Sequence, residues 1–424
     1  MRRLLRYFGF KPVVGGWIER FSSVGDVVFD PFGGAGSIVF EALSRGRRAI
    51  YLDLNPYIVF VVRTLVRALS EVDPEEFVEI ACRVVSGRKR VPVRLKDFRL
   101  TYIDTRSLYR VNGVEVKYVL WERDRPVAAR TFDDRWVRIS EEWGLFPYWP
   151  YHSYPCGRIW YSDVPFYTRR CVDHIYEFFT RRNLVALSTL LYDIEHKCRK
   201  GTLQDLLKVA FLLILHKCSK MARVEGGSWP YPKYWIPRRH IEANVYWAFM
   251  NSVKRIANFL KKFSEYKVIL GEVEDVLAGS ADIAVLEGDA KETQLPDECV
   301  DYVITDPPML DEIQYLELSY FYLSWIRREP PFEKEVVINP NRGVDEKAYY
   351  DMLGKAVSEV YRVLKDGKYF TLIVHDLPEL KEEVVARSEQ AGFRLIRVDK
   401  VKRLRGLNFK HGAQYECYIT FCKA

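Results

Sequence analysis

Short apolar runs that end on an acidic residue punctuate both ends of this 424-residue chain. Val27 to Phe29 stops at Asp30, Ile50 to Leu52 stops at Asp53, Val285 and Leu286 lead to Asp289, and Val300 to Thr305 delivers Asp306. Apolar runs of this length, bounded by Gly or Pro, predict buried strands. Helical spacing follows the first two, at Ser37 to Ser44 and at Pro56 to Leu69, where Ile58, Val61, Val62, Leu65 and Leu69 fall on one face and Pro56 suits the first turn. A short helical lead, Val13 to Phe21, precedes them. After Asp306 the pattern predicts an amphipathic helix from Tyr315 to Ile326, a longer helix from Glu346 to Leu364, and a buried strand from Tyr369 to His375. A helix from Pro378 to Ala391, stopped by Gly392, and strands Phe393 to Arg403 and Gln414 to Cys422 complete the chain.

The middle follows a different rhythm. From Cys82 to Ile139 polar and apolar residues alternate, and Asn112-Gly113 is a strong two-residue hairpin signal. Glu141 to Tyr167 is dense in Trp, Tyr, Phe and Pro. Most of these rings are expected in a core, and some are suited to stacking on bases. Helical periodicity resumes from Cys171 to Cys218 and from Glu242 to Phe263, around a proline-punctuated loop, Trp229 to Pro237. The pattern predicts an α/β domain built from 1–81 and 264–424, interrupted by a basic β-rich insertion at 82–140 and an aromatic-rich, mainly helical one at 141–263.

The first strand opens into Phe32-Gly33-Gly34-Ala35-Gly36, where glycines permit positive φ and close approach to a ligand. Asp53 ends the next strand, from which a carboxylate reaches ribose hydroxyls in open α/β sheets. This is not the G-x-G-x-x-G spacing of dinucleotide folds, so an adenosine-bearing group is expected rather than NAD or FAD.

Four motifs together carry a family resemblance: DPFGGAGS at 30–37, LDLNP at 52–56, GDA at 288–290 and TDPP at 305–308. Through them the chain resembles S-adenosylmethionine (SAM)-dependent amino-methyltransferases of nucleic-acid bases. It is most similar to archaeal and bacterial DNA methylases with a large insertion, since ITDPPMLDEIQYLELSYFYLSWI at 304–326 continues in their manner. The resemblance covers the two ends of the chain and not its middle. It implies a Rossmann-like class I methyltransferase sheet of seven strands, the last antiparallel, with a large α+β insertion, and SAM as cofactor. It also implies that the turn Phe32, Gly33, Gly34 and Gly36 surrounds the methionine moiety, that Asp53 holds the ribose, that Asp289 binds the adenine amine, and that Asp30 and Ala290 belong to the same cofactor site. The Asp306 side chain and the Pro307 carbonyl would accept the two protons of the target amine, with Pro307-Pro308 fixing the backbone. The family's aromatic after the two prolines is Met309 here, so either Met309 packs on the target base or Tyr315 supplies the face. The implied substrate is adenine N6 or cytosine N4 of DNA. Methylation of an RNA base is the alternative, and nucleic-acid binding without turnover is a third reading, resting on Met309.

Charge supports a polyanionic partner without telling duplex DNA from structured RNA, and it is the resemblance that puts DNA ahead of RNA. Lys and Arg number 65 against 57 Asp and Glu, a net charge of +8, and residues 83–138 alone hold fifteen basic and seven acidic residues, 15 − 7 = +8. Lys233, Arg238, Arg239 and His240 beside aromatics are candidate nucleic-acid contacts. Lys400, Lys402, Arg403, Arg405, Lys410 and His411 form a second basic stretch, equally readable as a phosphate contact or a solvated turn. Eight cysteines without a C-x-x-C pair argue against a disulfide framework and a zinc ribbon. His196-Lys197-Cys198 and His216-Lys217-Cys218 do not share a helix face, so no metal is expected. Arg6 and Lys11 interrupt the first apolar residues, and the longest apolar run, Val209 to Leu215, is too short for a membrane span, so a cytoplasmic protein is expected.

Overall fold

Parallel strands require crossover segments, and the strand and helix alternation at the two ends of the chain supplies them for a single sheet. The computed structural model describes residues 14–86, 90–94, 100–139, 149–150, 175–223, 234, 236–263, 268–402 and 415–424. The chain divides into two units, one of Met1–Val66, Lys267–Leu316 and Pro330–Ala424, the other of Arg67–Tyr266 and Glu317–Glu329.

The first unit holds seven strands: β1 (Val27–Asp30), β2 (Arg48–Asp53), β3 (Ile283–Glu287), β4 (Val300–Thr305), β5 (Leu364–His375), β6 (Phe393–Lys402) and β7 (Tyr415–Lys423). They lie in the order β3-β2-β1-β4-β5-β7-β6. Pairs from β3 to β5 are parallel, and β7 runs antiparallel to both β5 and β6. This is the expected class I methyltransferase sheet with its antiparallel last strand. Its helices are α1 (Gly15–Phe21), α2 (Ser37–Leu43), α3 (Pro56–Glu71, which runs on into the second unit), α4 (Val273–Ala278), α5 (Tyr315–Leu323, divided likewise), α6 (Glu346–Val363) and α7 (Pro378–Gln390). Burial on both faces explains the unbroken apolar runs. Val27, Phe29, Val303 and Leu372 join one core with α6, while Val28, Ile304, Ile373 and Tyr418 join another with Ile18 of α1 and Ile38 of α2. Strand β5 begins five residues before the apolar stretch at Tyr369, because Leu364 already pairs with Val300.

The segment from Tyr315 to Ile326 departs from the expected amphipathic helix. Helix α5 is followed by a 3₁₀ turn at Ser324–Ile326, and Leu316, Glu317, Ser319, Tyr320, Phe321, Leu323 and Trp325 are all buried. A segment enclosed on several sides has no solvent face for polar residues to mark.

In the second unit Val114–Glu122 is the central strand of an antiparallel sheet, flanked by Arg239–Ala243 and Arg125–Thr131, with Trp136–Arg138 beyond. Arg110–Val111 folds back on it through Asn112 and Gly113, at φ 50° and 81°, the turn the sequence signals. Residues 239–243 therefore join the hairpin of the earlier insertion segment, and the two segments share one sheet. Glu242 lies in this strand rather than in the helix expected from residue 242, and the helix starts at Val245. The helix Pro74–Val85 falls in the second unit and packs on Val245–Phe263. His240 is buried and its ring stacks parallel to Trp121, so it is a core residue and not the exposed contact the sequence suggested. Of the aromatic-rich stretch only Trp149–Pro150 is described, as a strand beside Arg90–Arg94. Among the described residues no helix is long and apolar enough to cross a membrane, and no three His, Cys, Asp or Glu side chains gather as metal ligands.

Candidate active site

The parallel strands β1 to β4 all point their carboxyl ends to one edge of the sheet, and the acidic residues of the motifs follow those ends directly. Backbone hydrogen bonds tie the edge together. Gly33 N donates to Leu52 O (2.9 Å), Gly288 N to Asp53 O (3.0 Å), and Phe32 N to the Thr305 hydroxyl (3.2 Å).

The glycines of the turn serve different ends. A Cβ on Gly33 would lie 2.2 Å from the Tyr51 ring, whose hydroxyl donates to Gly34 O (2.6 Å), so this glycine makes room for a side chain that props the turn from below. Gly34 and Gly36 have φ 47° and 81°, where glycine carries no Cβ penalty. Among the described residues a Cβ on Gly34 would meet only Phe32 O, at 3.9 Å, so the turn leaves a cradle open there. Asp53 faces it, one carboxylate oxygen accepting from Gly34 N (2.7 Å) and the other from Asn55 N (2.8 Å). Each oxygen retains a lone-pair site for a ligand hydroxyl. Burial pushes the Asp53 carboxyl up to about 6, against those two bonds.

Asp30, expected among the cofactor-binding residues, is turned into the protein rather than toward the cradle. It is 1% exposed, 2.7 Å from the Thr305 hydroxyl and 3.3 Å from Phe32 N, and so ties the end of β1 to the end of β4. Burial raises its carboxyl to about 8, with Asp53 and Asp306 adding repulsion against the bonds from Thr305 and Phe32. A folded-state pKa above the unfolded value means that its contribution to stability is fully present below about 4 and is lost as pH rises through about 8. Thermal melts of Asp30→Asn from about pH 5 to about pH 9 should therefore show a flatter decline than the parent. An equal decline in both would exclude Asp30 as its source.

Asp289 accepts from Lys291 N (3.0 Å) and pairs with Lys291 Nζ (2.9 Å) through one oxygen, Oδ1. Among the described residues Oδ2 has no such contact, which leaves an acceptor for a ligand amine. Ala290 is buried beside it and Phe32 packs against the same core.

The loop after Asp306 is clamped. Tyr349 of α6 donates to Pro308 O (3.0 Å), Glu312 N to Met309 O (3.0 Å) and Ile338 N to Leu310 O (2.9 Å). These bonds hold Leu310 at φ 48°, a strained position for a bulky residue. Met309 is 7% exposed and belongs to the hydrophobic core, so its side chain is not the face against which a base could stack. Tyr315 is 44% exposed. Desolvation of its hydroxyl, with the negative field of Asp306, Glu312, Glu335 and Asp53, pushes its pKa up and keeps it protonated. Its backbone is fixed from both sides: Glu335 accepts from Leu316 N (2.8 Å) and from Arg342 (2.8 Å), and Gln314 accepts from Arg342 and Asn339 (2.9 Å each).

No protein-family model matches the chain. Along 409 residues it is 20% identical to the type II methyltransferase M.MjaII of Methanocaldococcus jannaschii, a match covering 90% of this chain and 72% of that protein. The chain is a homologue of that methyltransferase. Among solved structures, a Thermus thermophilus protein described as a DNA modification methylase is 22% identical over 32% of this chain and 50% of its own, with a TM-score of 0.21. A SAM-dependent methyltransferase from Methanosarcina mazei is 12% identical over 34% and 68%, with a TM-score of 0.20. The chain thus spans about half the length of the first of these structures.

In this methyltransferase homologue the motif residues and Tyr315 belong to the first unit, whereas the expected nucleic-acid contacts Arg238 and Arg239 belong to the second. Arg238 is exposed and pairs with Glu122 (3.1 Å), Arg239 is exposed on its strand, and Lys233 lies outside the described residues. Of the basic stretch near the end of the chain, Lys400 pairs with Asp376 (2.9 Å), and 403–414 lie outside the described residues. Gln314, Glu335, Arg342 and Tyr349, which set the loop's position, escaped the sequence reading. Glu335, Arg342 and Tyr349 belong to no motif, Gln314 lies unremarked within the 304–326 stretch, and only their partners identify them.

Proposed function

We propose that this protein is a SAM-dependent DNA methyltransferase that transfers a methyl group to an exocyclic base amine, adenine N6 first and cytosine N4 second. The observation that carries the reading is the convergence, at one sheet edge of one unit, of the open glycine turn, Asp53, Asp289 and the clamped Asp306-Pro307-Pro308 loop. When bound, SAM supplies an electrophilic methyl on a sulfonium.

The chain's residues do the rest. The turn from Phe32 to Gly36 would receive the methionine moiety, Asp53 the ribose hydroxyls, and Asp289 Oδ2 the adenine amine. An exocyclic amine is a weak nucleophile because its lone pair is delocalised into the ring. Acceptors at Asp306 and the Pro307 carbonyl receive hydrogen bonds from its two N–H groups, draw the nitrogen toward a tetrahedral shape and aim its lone pair at the methyl. Tyr315, exposed and protonated, is the face available to the base, worth about 1–3 kcal/mol of stacking. The base must leave the duplex to reach this site. Arg238, Arg239 and the basic insertion would supply phosphate contacts, and the likeness to M.MjaII, a type II methyltransferase, supports reading the substrate as DNA rather than RNA.

The test is transfer of labelled methyl from SAM to unmethylated genomic DNA and, in parallel, to unmodified tRNA and rRNA, followed by nucleoside analysis. N6-methyladenine or N4-methylcytosine in the DNA is the expected result. Label confined to RNA would overturn the substrate, and failure to bind SAM would overturn the reading itself.

A further inference from the structure

At the carboxyl edge of the sheet, on the face covered by α1, a polar group gathers that the reaction as described leaves unused. His375 is the last residue of β5, and Glu416 stands opposite it on β7, with Tyr418 two residues along the same strand. Glu312, from the loop after Met309, brings Oε2 to 3.4 Å from His375 Nδ1, and both side chains are 7% exposed. The pairing of Thr305 with Leu372 sets Asp306, one step on, beside the stretch of β5 that ends at His375.

The Tyr418 hydroxyl is the informative member. Tyr418 is fully buried and stacked on Trp17 at 4.1 Å, yet among the described residues its hydroxyl has no hydrogen-bond partner. Desolvation, then the charges of Glu416 and Asp306, raise its pKa, so the hydroxyl lies within the field of both carboxylates. Burial, with the charges of Asp306 and Glu312 adding to it, likewise raises the pKa of the Tyr315 hydroxyl. A buried hydroxyl without a partner costs stability, and phenylalanine would fill the same space without that cost. A group that can donate and accept at once is suited to passing a proton.

We propose that His375, held by Glu312 and assisted by Tyr418, receives the proton that Asp306 takes from the target amine. This rests on the methyl-transfer reading above. As the nitrogen lone pair forms the new N–C bond, the S–C bond breaks and its electron pair stays on sulfur. The nitrogen then sheds one proton onto the Asp306 carboxylate. Asp306 hands that proton to the His375 imidazole and returns to the ionised form that accepts the next amine. Glu312 and Glu416 balance the imidazolium charge until the proton leaves to water. Asp376, next along the chain from His375, is already engaged by Lys381 and Lys400.

The experiment compares the parent with His375→Gln, Glu312→Gln and Tyr418→Phe by methyl transfer across pH, SAM binding by calorimetry, and thermal midpoint. In His375→Gln, kcat should fall at least about tenfold with SAM affinity within about twofold of the parent. Its pH profile should lose the acidic limb that arises in the parent when His375 is protonated before turnover. Tyr418→Phe should keep or raise the thermal midpoint while kcat falls about fivefold, a split that a packing defect would not produce. Should His375→Gln fail to fold, the Tyr418→Phe split and the Glu312→Gln pH profile decide. A kcat within about threefold of the parent in both His375→Gln and Tyr418→Phe, or an unchanged acidic limb, would overturn the proposal alone. A parent that binds no SAM and moves no methyl would overturn the methyl-transfer reading and this proposal with it.

Discussion

In Asp306→Ala, methyl transfer should fall roughly 10²–10³-fold in kcat, the loss typical of one acceptor or donor that acts on the reacting group in the transition state. SAM affinity should change little, because the cradle at Gly34, Asp53 and Asp289 is built from other strands. Folding should hold as well, since the loop is anchored by the Tyr349 bond to Pro308 and by the backbone bonds of Glu312 and Ile338. Asp306→Asn keeps the shape and one acceptor but presents an amide donor to one amine proton, so it should be nearly as slow. Single-turnover transfer with calorimetry of SAM binding checks both variants. A parent-like rate in Asp306→Ala would remove Asp306 from the reaction.

The largest effect on stability should come from the second unit. Glu242 is buried on the outer strand Arg239–Ala243 of the antiparallel sheet, where both its oxygens lie within 3.2 Å of Arg182 Nη1, one accepts from Trp121 Nε1 (2.9 Å), and the other accepts from the Thr180 hydroxyl. Its side chain is wholly enclosed and that of Arg182 nearly so. Removing one partner leaves an uncompensated buried charge, so Glu242→Ala should cost about 3–5 kcal/mol. At about 2–4 °C per kcal/mol for a unit of this size, the midpoint should drop roughly 10 °C. Removing both charges together, in Glu242→Leu with Arg182→Leu, should recover much of that loss, because an apolar pair of similar volume avoids the desolvation cost. Equal destabilisation by the single and double variants would show that the hydrogen bonds from Trp121 and Thr180, rather than the ion pair, hold the sheet.

How far the sequence revealed these features follows from the range of the interactions. The strands ending on Asp30, Asp53, Asp289 and Asp306 were readable because burial on both faces leaves an unbroken apolar run, and a run that stops at a carboxylate also marks the functional edge. The Asn112-Gly113 turn was readable because its signal is local, two residues that tolerate positive φ. Glu242 was misread as helical because its strand is defined by pairing with Val119, distant in sequence, and nothing nearby marks it. Asp30 looked like a ligand contact because a carboxylate after a strand reads the same whether it faces a cleft or Thr305. Gly33 looked like a residue kept for a ligand, whereas the Tyr51 ring beneath it is what excludes a Cβ. The sequence offers Met309 and Tyr315 as alternatives for one task, and burial separates them: one is in the core, the other is exposed.

The pairing of β1 with β4 has a consequence for the order in which the molecule comes into being. Val27 N donates to the Asp301 carboxylate 274 residues away, and β1 lies between β2 and β4. During synthesis the first two strands therefore emerge long before the strand that covers the far side of β1, and an uncovered strand edge invites pairing with other chains. Closing a disordered loop of that length is entropically costly, though the cost grows only as the logarithm of loop length. If the second unit folds as it emerges, its residues no longer belong to the disordered loop and β4 has less chain to bring under control. Translation slowed near the end of the second unit should then raise the yield of native protein, whereas slowing it just after β2 should lower it.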